Sequence, residues 1–138
     1  MKKILLTLVM MLTLSFVMPQ EAQAQLQTYK TTAYAFKKTN ANGIWSSWSD
    51  WQASNMVMTI NFDNDVVKIY SPKTQTYRIT EFVRNFTDSS GGKQVEFRFI
   101  DQDGDRGAMR LRIETNGNSQ VYIEFSNIIW VYNVRRTN

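Results

Sequence analysis

Three tryptophans within seven residues form the strongest candidate for a binding function in this sequence. Trp45, Trp48 and Trp51 occur in the run Ile-Trp-Ser-Ser-Trp-Ser-Asp-Trp. Indole rings stack on the faces of sugars and cover apolar openings, so this run can act as a ligand platform or as a lid. An extended chain would place Trp45 and Trp51 on one side and Trp48 on the other, whereas a helical turn would gather all three in a drifting stripe.

A structural role competes with this interpretation, because tryptophan is usually buried. The sequence therefore favours rings that plug one end of the core, with a ligand platform as the alternative. Two methionines follow closely, and methionine both lines adaptable cavities and fills irregular cores. If this region binds a ligand, the predicted ligand-binding residues are Trp45, Trp48, Trp51, Met56 and Met58.

A second candidate is an acidic loop in which carboxylates alternate. Asp101, Asp103 and Asp105 resemble the start of a calcium loop, where oxygens at positions 1, 3 and 5 converge on the ion. Arg106 stands where such a loop needs glycine, and Arg112 stands where it needs the bidentate glutamate. The preferred interpretation is a solvated hairpin loop built on Asp-Gly turn chemistry. A weak Ca²⁺ site is the alternative, and no other cofactor is expected.

Catalysis is restricted by the absence of histidine and cysteine from the sequence. This excludes Ser-His-Asp and Cys-His catalysis, zinc held by imidazole or thiolate, and haem held by His or Cys. A pair of carboxylates can still hydrolyse a glycosidic bond. Glu114 and Glu124 are the only candidates on adjacent predicted strands, and Arg–Glu pairing on a wet sheet face explains both more simply. We therefore predict a non-enzymatic protein, with a carboxylate-dependent glycoside hydrolase as the third alternative.

The elements that would position these groups are strands. Short runs rich in Tyr, Phe, Val, Ile and Thr recur between turn residues, as in all-β proteins. Val95, Phe97 and Phe99 alternate with Glu96 and Arg98, as a half-buried sheet requires. The predicted strands are 27–37, 56–62, 66–71, 74–82, 94–101, 108–114, 119–125 and 128–134.

The short connections between these strands imply antiparallel neighbours. We predict an all-β fold, an up-and-down meander of about eight strands that forms a closed or nearly closed barrel. A two-sheet β-sandwich is the alternative. A barrel of eight strands is either filled by side chains or holds one small ligand.

Strand register follows from keeping apolar residues opposite apolar residues. For one hairpin this predicts Ile113 opposite Val121 and Leu111 opposite Ile123, with Asn116-Gly117-Asn118 as a three-residue loop. The same rule predicts two pairs in an earlier hairpin, Phe62 with Val67 and Ile60 with Ile69.

The N-terminal region has the pattern of a cleavable secretory signal. Two lysines precede an apolar run at 4–18, and Ala22-Gln23-Ala24 follows it. The run has about 15 residues, fewer than the roughly 20 that span a bilayer. We expect residues 1–24 to be a signal peptide and residues 25–138 to form a single all-β domain. An exported domain without cysteine is typical of a periplasmic or secreted bacterial protein.

The partner predictions follow from charge and composition. The net charge is +4, and the basic residues are scattered, whereas nucleic-acid readers cluster them; no nucleic-acid partner is expected. The leading function is an exported binding protein that holds a small apolar molecule at the barrel mouth. The alternative is a structural or interaction protein of the cell envelope with a filled core, whose partner is another protein or a polysaccharide. After signal cleavage, no membrane-spanning segment is expected.

Overall fold

A computed structural model describes residues 26–114, 116 and 118–137, and within these ranges the regular elements are strands. The predicted signal peptide, 1–24, lies outside the described residues. The strands are β1 (Leu26–Lys38), β2 (Gln52–Ala53), β3 (Val57–Asn61), β4 (Val66–Tyr70), β5 (Gln75–Thr87), β6 (Lys93–Asp101), β7 (Arg106–Ile113), β8 (Asn118–Glu124) and β9 (Ile128–Arg136).

Antiparallel pairing of neighbouring strands closes the sheet into a barrel. The order is β1-β3-β4-β5-β6-β7-β8-β9, and β9 pairs back with β1. The two-residue strand β2 is an extra element that pairs with β1 beside this eight-stranded ring. The predicted up-and-down barrel is therefore confirmed. In the part of the chain that the structure describes, no helix has the length and apolarity to cross a membrane.

The centre of the barrel is filled by inward-facing side chains from the alternating strands. These side chains form one contiguous cluster, and an eight-stranded barrel is narrow enough to be filled in this way. Those at most 1% exposed include Met58, Ile60, Val67, Ile69, Phe97, Phe99, Met109, Leu111, Val121 and Ile123.

The predicted register of the β7–β8 hairpin is wrong by two residues. Leu111, and not Ile113, lies opposite Val121, so the predicted partner of Leu111 is displaced by the same step. The Glu114 N–H donates to the Asn118 carbonyl at 2.9 Å, which starts the loop one residue earlier than predicted. A shift of two residues keeps every side chain on its own face, so the apolar pattern is preserved.

The predicted register of the β3–β4 hairpin is also wrong by two residues, and again the turn is the reason. Ile60 lies opposite Val67 rather than Ile69. The Asn61 side-chain oxygen accepts two backbone N–H groups of the following turn, at 3.0 and 3.1 Å. This turn therefore contains four residues and includes Phe62, which was predicted to pair with Val67.

Strand β5 is longer than the predicted strand 74–82, since it runs to Thr87. Beyond Ile79 its only strand partner in the described ranges is β6, and two bulges interrupt that pairing. The second half of β5 therefore projects past the short strand β4, and it leaves Phe82 52% exposed.

Three core tyrosines make the stability of the barrel sensitive to alkaline pH. Burial, helped by the nearby Tyr34, raises the pKa of Tyr132 to about 12. Burial is also the main cause that raises the pKa of Tyr29 and of Tyr77. The folded state holds these protons more tightly than the unfolded chain, so this stabilisation is complete below about pH 10, the ordinary pKa of tyrosine, and is lost as the pH rises through the folded pKa.

We expect the free energy of unfolding to fall by about 1.4 kcal/mol per pH unit for each buried tyrosine in this alkaline window. Urea denaturation followed by circular dichroism between about pH 9 and 12 measures the slope. Tyr132→Phe should lower this slope by the share of one tyrosine, about 1.4 kcal/mol per pH unit. Equal slopes for Tyr132→Phe and the parent protein would contradict this assignment.

Candidate functional site

Residues 44–51, hereafter the Trp segment, lie beside the second half of β1. A tight turn leads into the segment: the Asn40 N–H donates to the Ile44 carbonyl at 2.9 Å, and Thr39 forms a bridge with Trp45. The chain then runs antiparallel to β1 and enters β2. The segment therefore continues the line of β3 along the part of β1 that β3 does not reach.

Two serines replace the regular ladder between the Trp segment and β1. The Ser46 N–H donates to the Lys38 carbonyl at 2.8 Å, and its hydroxyl oxygen accepts the Lys38 N–H at 3.1 Å. Ser49 makes the same two bonds with Phe36, at 2.8 and 2.9 Å. Three residues of the Trp segment therefore cover the same distance as two residues of β1. That distance is about 6.7 Å.

Gln52 continues this repeat at the start of β2. It lies opposite Tyr34, whose hydroxyl donates to the Gln52 side-chain oxygen at 2.8 Å. Tyr34 packs against the core, with its ring centroid 6.0 Å from that of Trp130. Positions 46, 49 and 52 therefore face the same side as Tyr34. The residues that precede them face outward together: Trp45, Trp48 and Trp51.

The three indoles are half-exposed on the outside of the barrel. Trp45, Trp48 and Trp51 are 39%, 42% and 50% exposed. The Lys37 ammonium lies between two of them, 4.9 Å from the Trp48 ring centroid and 5.8 Å from that of Trp45. The preferred prediction that these rings plug one end of the core is therefore wrong. Neither the extended nor the helical arrangement considered for them describes this single outward row.

Tyr122 extends the aromatic surface across the barrel wall. Its ring meets Trp48 edge-on with centroids 6.5 Å apart, and the Arg110 guanidinium lies 4.0 Å from its centroid. Ala35 and Val131, which pair with each other beneath this contact, are only 1% and 3% exposed although they face away from the core. The Trp segment therefore covers this part of the wall. We call the resulting surface the outer platform: Lys37, Trp45, Trp48, Trp51 and Tyr122.

A polar groove of about 380 Å³ adjoins the outer platform. The Tyr122 hydroxyl donates to the Gln120 side-chain oxygen at 3.1 Å, and the Gln120 amide donates to the Asn133 side-chain oxygen at 3.0 Å. This chain of hydrogen bonds connects the aromatic surface to the groove. The groove is lined by Thr32, Glu114, Asn118, Ser119, Gln120, Asn133, Val134 and Arg135.

The two methionines of the predicted ligand site lie apart from the tryptophans. Met58 is inward-facing on β3 and fully buried in the core. Met56 is half-buried against the same core, and its N–H donates to the Thr31 hydroxyl at 2.8 Å. The structure therefore brings together the three indoles but not all five predicted residues.

The acidic loop is organised by its own first carboxylate. The Asp101 side chain accepts the N–H groups of Asp103 and Asp105, at 2.9 and 2.8 Å. Gly104 has a φ of +86°, a conformation that glycine adopts without strain. Over the described ranges, no group of three or more His, Cys, Asp or Glu side chains is placed to hold a metal ion.

The candidate catalytic carboxylates are far apart. Glu124 lies opposite Ala108, which is six residues from Glu114 along the chain, a strand length of about 20 Å. Glycosidase carboxylates are separated by about 5–9.5 Å. Glu114 pairs with Arg112 at 3.1 Å and Glu124 with Arg110 at 3.6 Å. These two carboxylates cannot flank one glycosidic bond.

Sequence reasoning missed Lys37 because its place beside the indoles depends on the turn between Asn40 and Ile44. It missed Tyr122 and most of the groove residues because they come from strands that are distant in the sequence. One signal for the outward row was present. Ser46, Ser49 and Gln52 repeat every third position immediately after the tryptophans, so a shared three-residue period was readable in the chain.

Comparisons of the chain with protein-family models, with curated proteins and with solved structures give no match. No family is therefore assigned, and the functional argument rests on the residues and their geometry.

The serine hydroxyls should determine how firmly the Trp segment is held. Ser46→Ala and Ser49→Ala each remove the acceptor for one β1 N–H group, and we expect each to cost about 0.5–1.5 kcal/mol locally. Amide hydrogen exchange of Lys38 and Phe36 measures this local stability. Ser47→Ala is the matched control, since its hydroxyl does not bond β1. Unchanged exchange in both test variants would show that the hydroxyls do not hold the segment.

Proposed function

We propose that this protein is an exported, non-enzymatic binding protein whose outer platform binds a polysaccharide. The observation that carries the proposal is the row of three half-exposed indoles on the barrel wall. Apolar aromatic surface of this kind is normally buried, and its exposure beside hydrogen-bonding groups is typical of a recognition surface. The N-terminal signal pattern supports the export part of the proposal.

The chemistry of the surface fits a sugar. A sugar ring has an apolar face of C–H groups and a rim of hydroxyls. The indoles offer flat apolar surface for the ring face. The neighbouring groove offers the side-chain amides of Gln120 and Asn133, which donate and accept hydrogen bonds, and the Arg135 guanidinium, which donates them.

The shape of the surface fits a chain of sugars better than a single small molecule. Each three-residue step of the Trp segment advances about 6.7 Å along β1, so the tryptophan row extends over about 13 Å. The row lies on the outside wall and is open to solvent along its length. An extended polymer can contact all three rings in succession.

A small apolar ligand inside the barrel is the competing proposal. It has less support, because Met58 and the other inward-facing side chains occupy the barrel centre. A lipid surface is a further competitor, since Ile44 is 63% exposed next to the tryptophans. Three serines and Asp50 alternate with the indoles, however, and polar groups at these positions suit an aqueous sugar better than acyl chains.

Removal of single indoles should weaken polysaccharide binding. Trp48→Ala and Trp51→Ala each remove one stacking surface, and we expect about tenfold weaker binding from each, the upper range for an aromatic contact. Affinity electrophoresis and calorimetry with a glucan, a xylan and polygalacturonate measure the binding. Circular dichroism verifies that each variant is folded.

Tyr70→Ala is the matched control, because Tyr70 is a comparably exposed aromatic (46%) that lies outside the outer platform. It should bind like the parent protein. The proposed function would be refuted if the parent protein bound none of the polymers. It would also be refuted if neither Trp48→Ala nor Trp51→Ala weakened the binding. Saturable binding of an apolar fluorescent probe to the folded protein, without polysaccharide binding, would favour the competing small-ligand function.

A further inference from the structure

We infer that the outer platform selects acidic polysaccharides, with Lys37 as the partner of a sugar carboxylate. This inference rests on the proposed function and specifies the class of polysaccharide. It follows from how the positive charges of the outer wall are distributed, from the surroundings of Lys37, and from the distance between its ammonium and the indole rings.

Four arginines of the outer wall are already paired with acids. Each lies beside one or two carboxylates, and most of these contacts are exposed ion pairs of ordinary geometry. The pairs are Arg84–Glu96 at 2.9 Å, Arg98–Glu81 at 3.4 Å, Arg110–Glu124 at 3.6 Å and Arg112–Asp88 at 3.1 Å. A ligand anion would have to displace these acids, so these four paired arginines are not the anion site.

Lys37 differs from these arginines. Across the residues that the structure describes, no acidic side chain lies within ion-pair distance of its ammonium. Its side chain is half-buried, and Trp45 and Trp48 flank it. The cation is therefore held in place by two aromatic faces and has no counter-charge of its own.

The distances suit a carboxylate attached to a stacked sugar. The ammonium is 4.9 Å from the Trp48 centroid, so a ring on the free face or edge of this indole brings a ring substituent within reach of Lys37. A uronic acid sugar carries its carboxylate as such a substituent. Because the lysine is already ordered between the rings, little side-chain entropy is lost when the ion pair forms.

The polar groove complements this selection by binding hydroxyls. Its one acidic side chain, Glu114, is paired with Arg112 at 3.1 Å. Its other polar groups are the Arg135 guanidinium and several amides and hydroxyls, which bond sugar hydroxyls. Lys37 differs from Arg135 because two indole rings flank its ammonium, so we assign the charge preference to Lys37 and the binding of hydroxyls to the groove.

The test compares two ligands that differ only in charge. Polygalacturonate and its methyl ester have the same sugar rings, but the ester has no carboxylate. At low salt, we expect the parent protein to bind polygalacturonate about fivefold more tightly than the ester, as one exposed ion pair allows. This preference should disappear at about 0.5 M salt, because exposed ion pairs are screened.

Lys37→Gln should abolish the preference, measured as the ratio of the affinities of this variant for polygalacturonate and for the ester. Lys68→Gln is the matched control, since Lys68 is a lysine on β4, outside the outer platform, and it should retain the preference. Equal affinity of the parent protein for both ligands, or a preference that Lys37→Gln does not alter, would overturn the inference and leave the proposed function standing.

Two other outcomes would overturn both proposals. In the first, no polymer shows binding that is weakened by Trp48→Ala. The other is binding to vesicles of anionic phospholipid that depends on Trp48 and Lys37, without binding to any polysaccharide. In that second case the same cation and indoles would serve a lipid headgroup.

Discussion

The pairing of β1 with β9 is the interaction on which the rest of the structure depends. It joins the two ends of the meander, so the inward faces of eight strands enclose one core. It also involves far more of β1 than β3 can cover on the opposite edge, since β3 reaches only residues 26–30. The remaining edge of β1 accepts the Trp segment. Closure of the barrel and placement of the candidate site are therefore two results of one long strand.

The barrel was predictable from the sequence because burial of one sheet face imposes a period of two on every strand. The same period of two made the strand register unpredictable. A shift of two residues leaves each side chain on its own face, so the apolar pattern cannot distinguish the two pairings. The choice is made in the turns, where the Asn61 side chain and the Glu114 N–H close loops of particular lengths. Such local bonds leave little trace in hydrophobic periodicity.

The candidate site was predictable as a set of residues but not as a surface. The tryptophan cluster is evident in the sequence, yet its direction depends on hydroxyl groups of Ser46 and Ser49 that bond a strand several residues earlier. Tyr122 reaches the cluster only because β9 lies between β1 and β8. Side chains that are 74 or more positions apart meet through the order of strands around the barrel, which a list of motifs does not contain.

The three-to-two match between the Trp segment and β1 restricts how this surface can change during evolution. Insertion of one residue in the segment would turn the following indoles toward the barrel interior and separate each serine from its β1 partner. Insertion of a whole unit of three residues, together with two residues in β1 and two in the facing part of β9, keeps the three-to-two match and the β1–β9 register and adds one ring to the row. The outer platform can therefore lengthen only by whole three-residue units that are matched by two residues of β1. The length of the tryptophan row is thus set by the edge of β1.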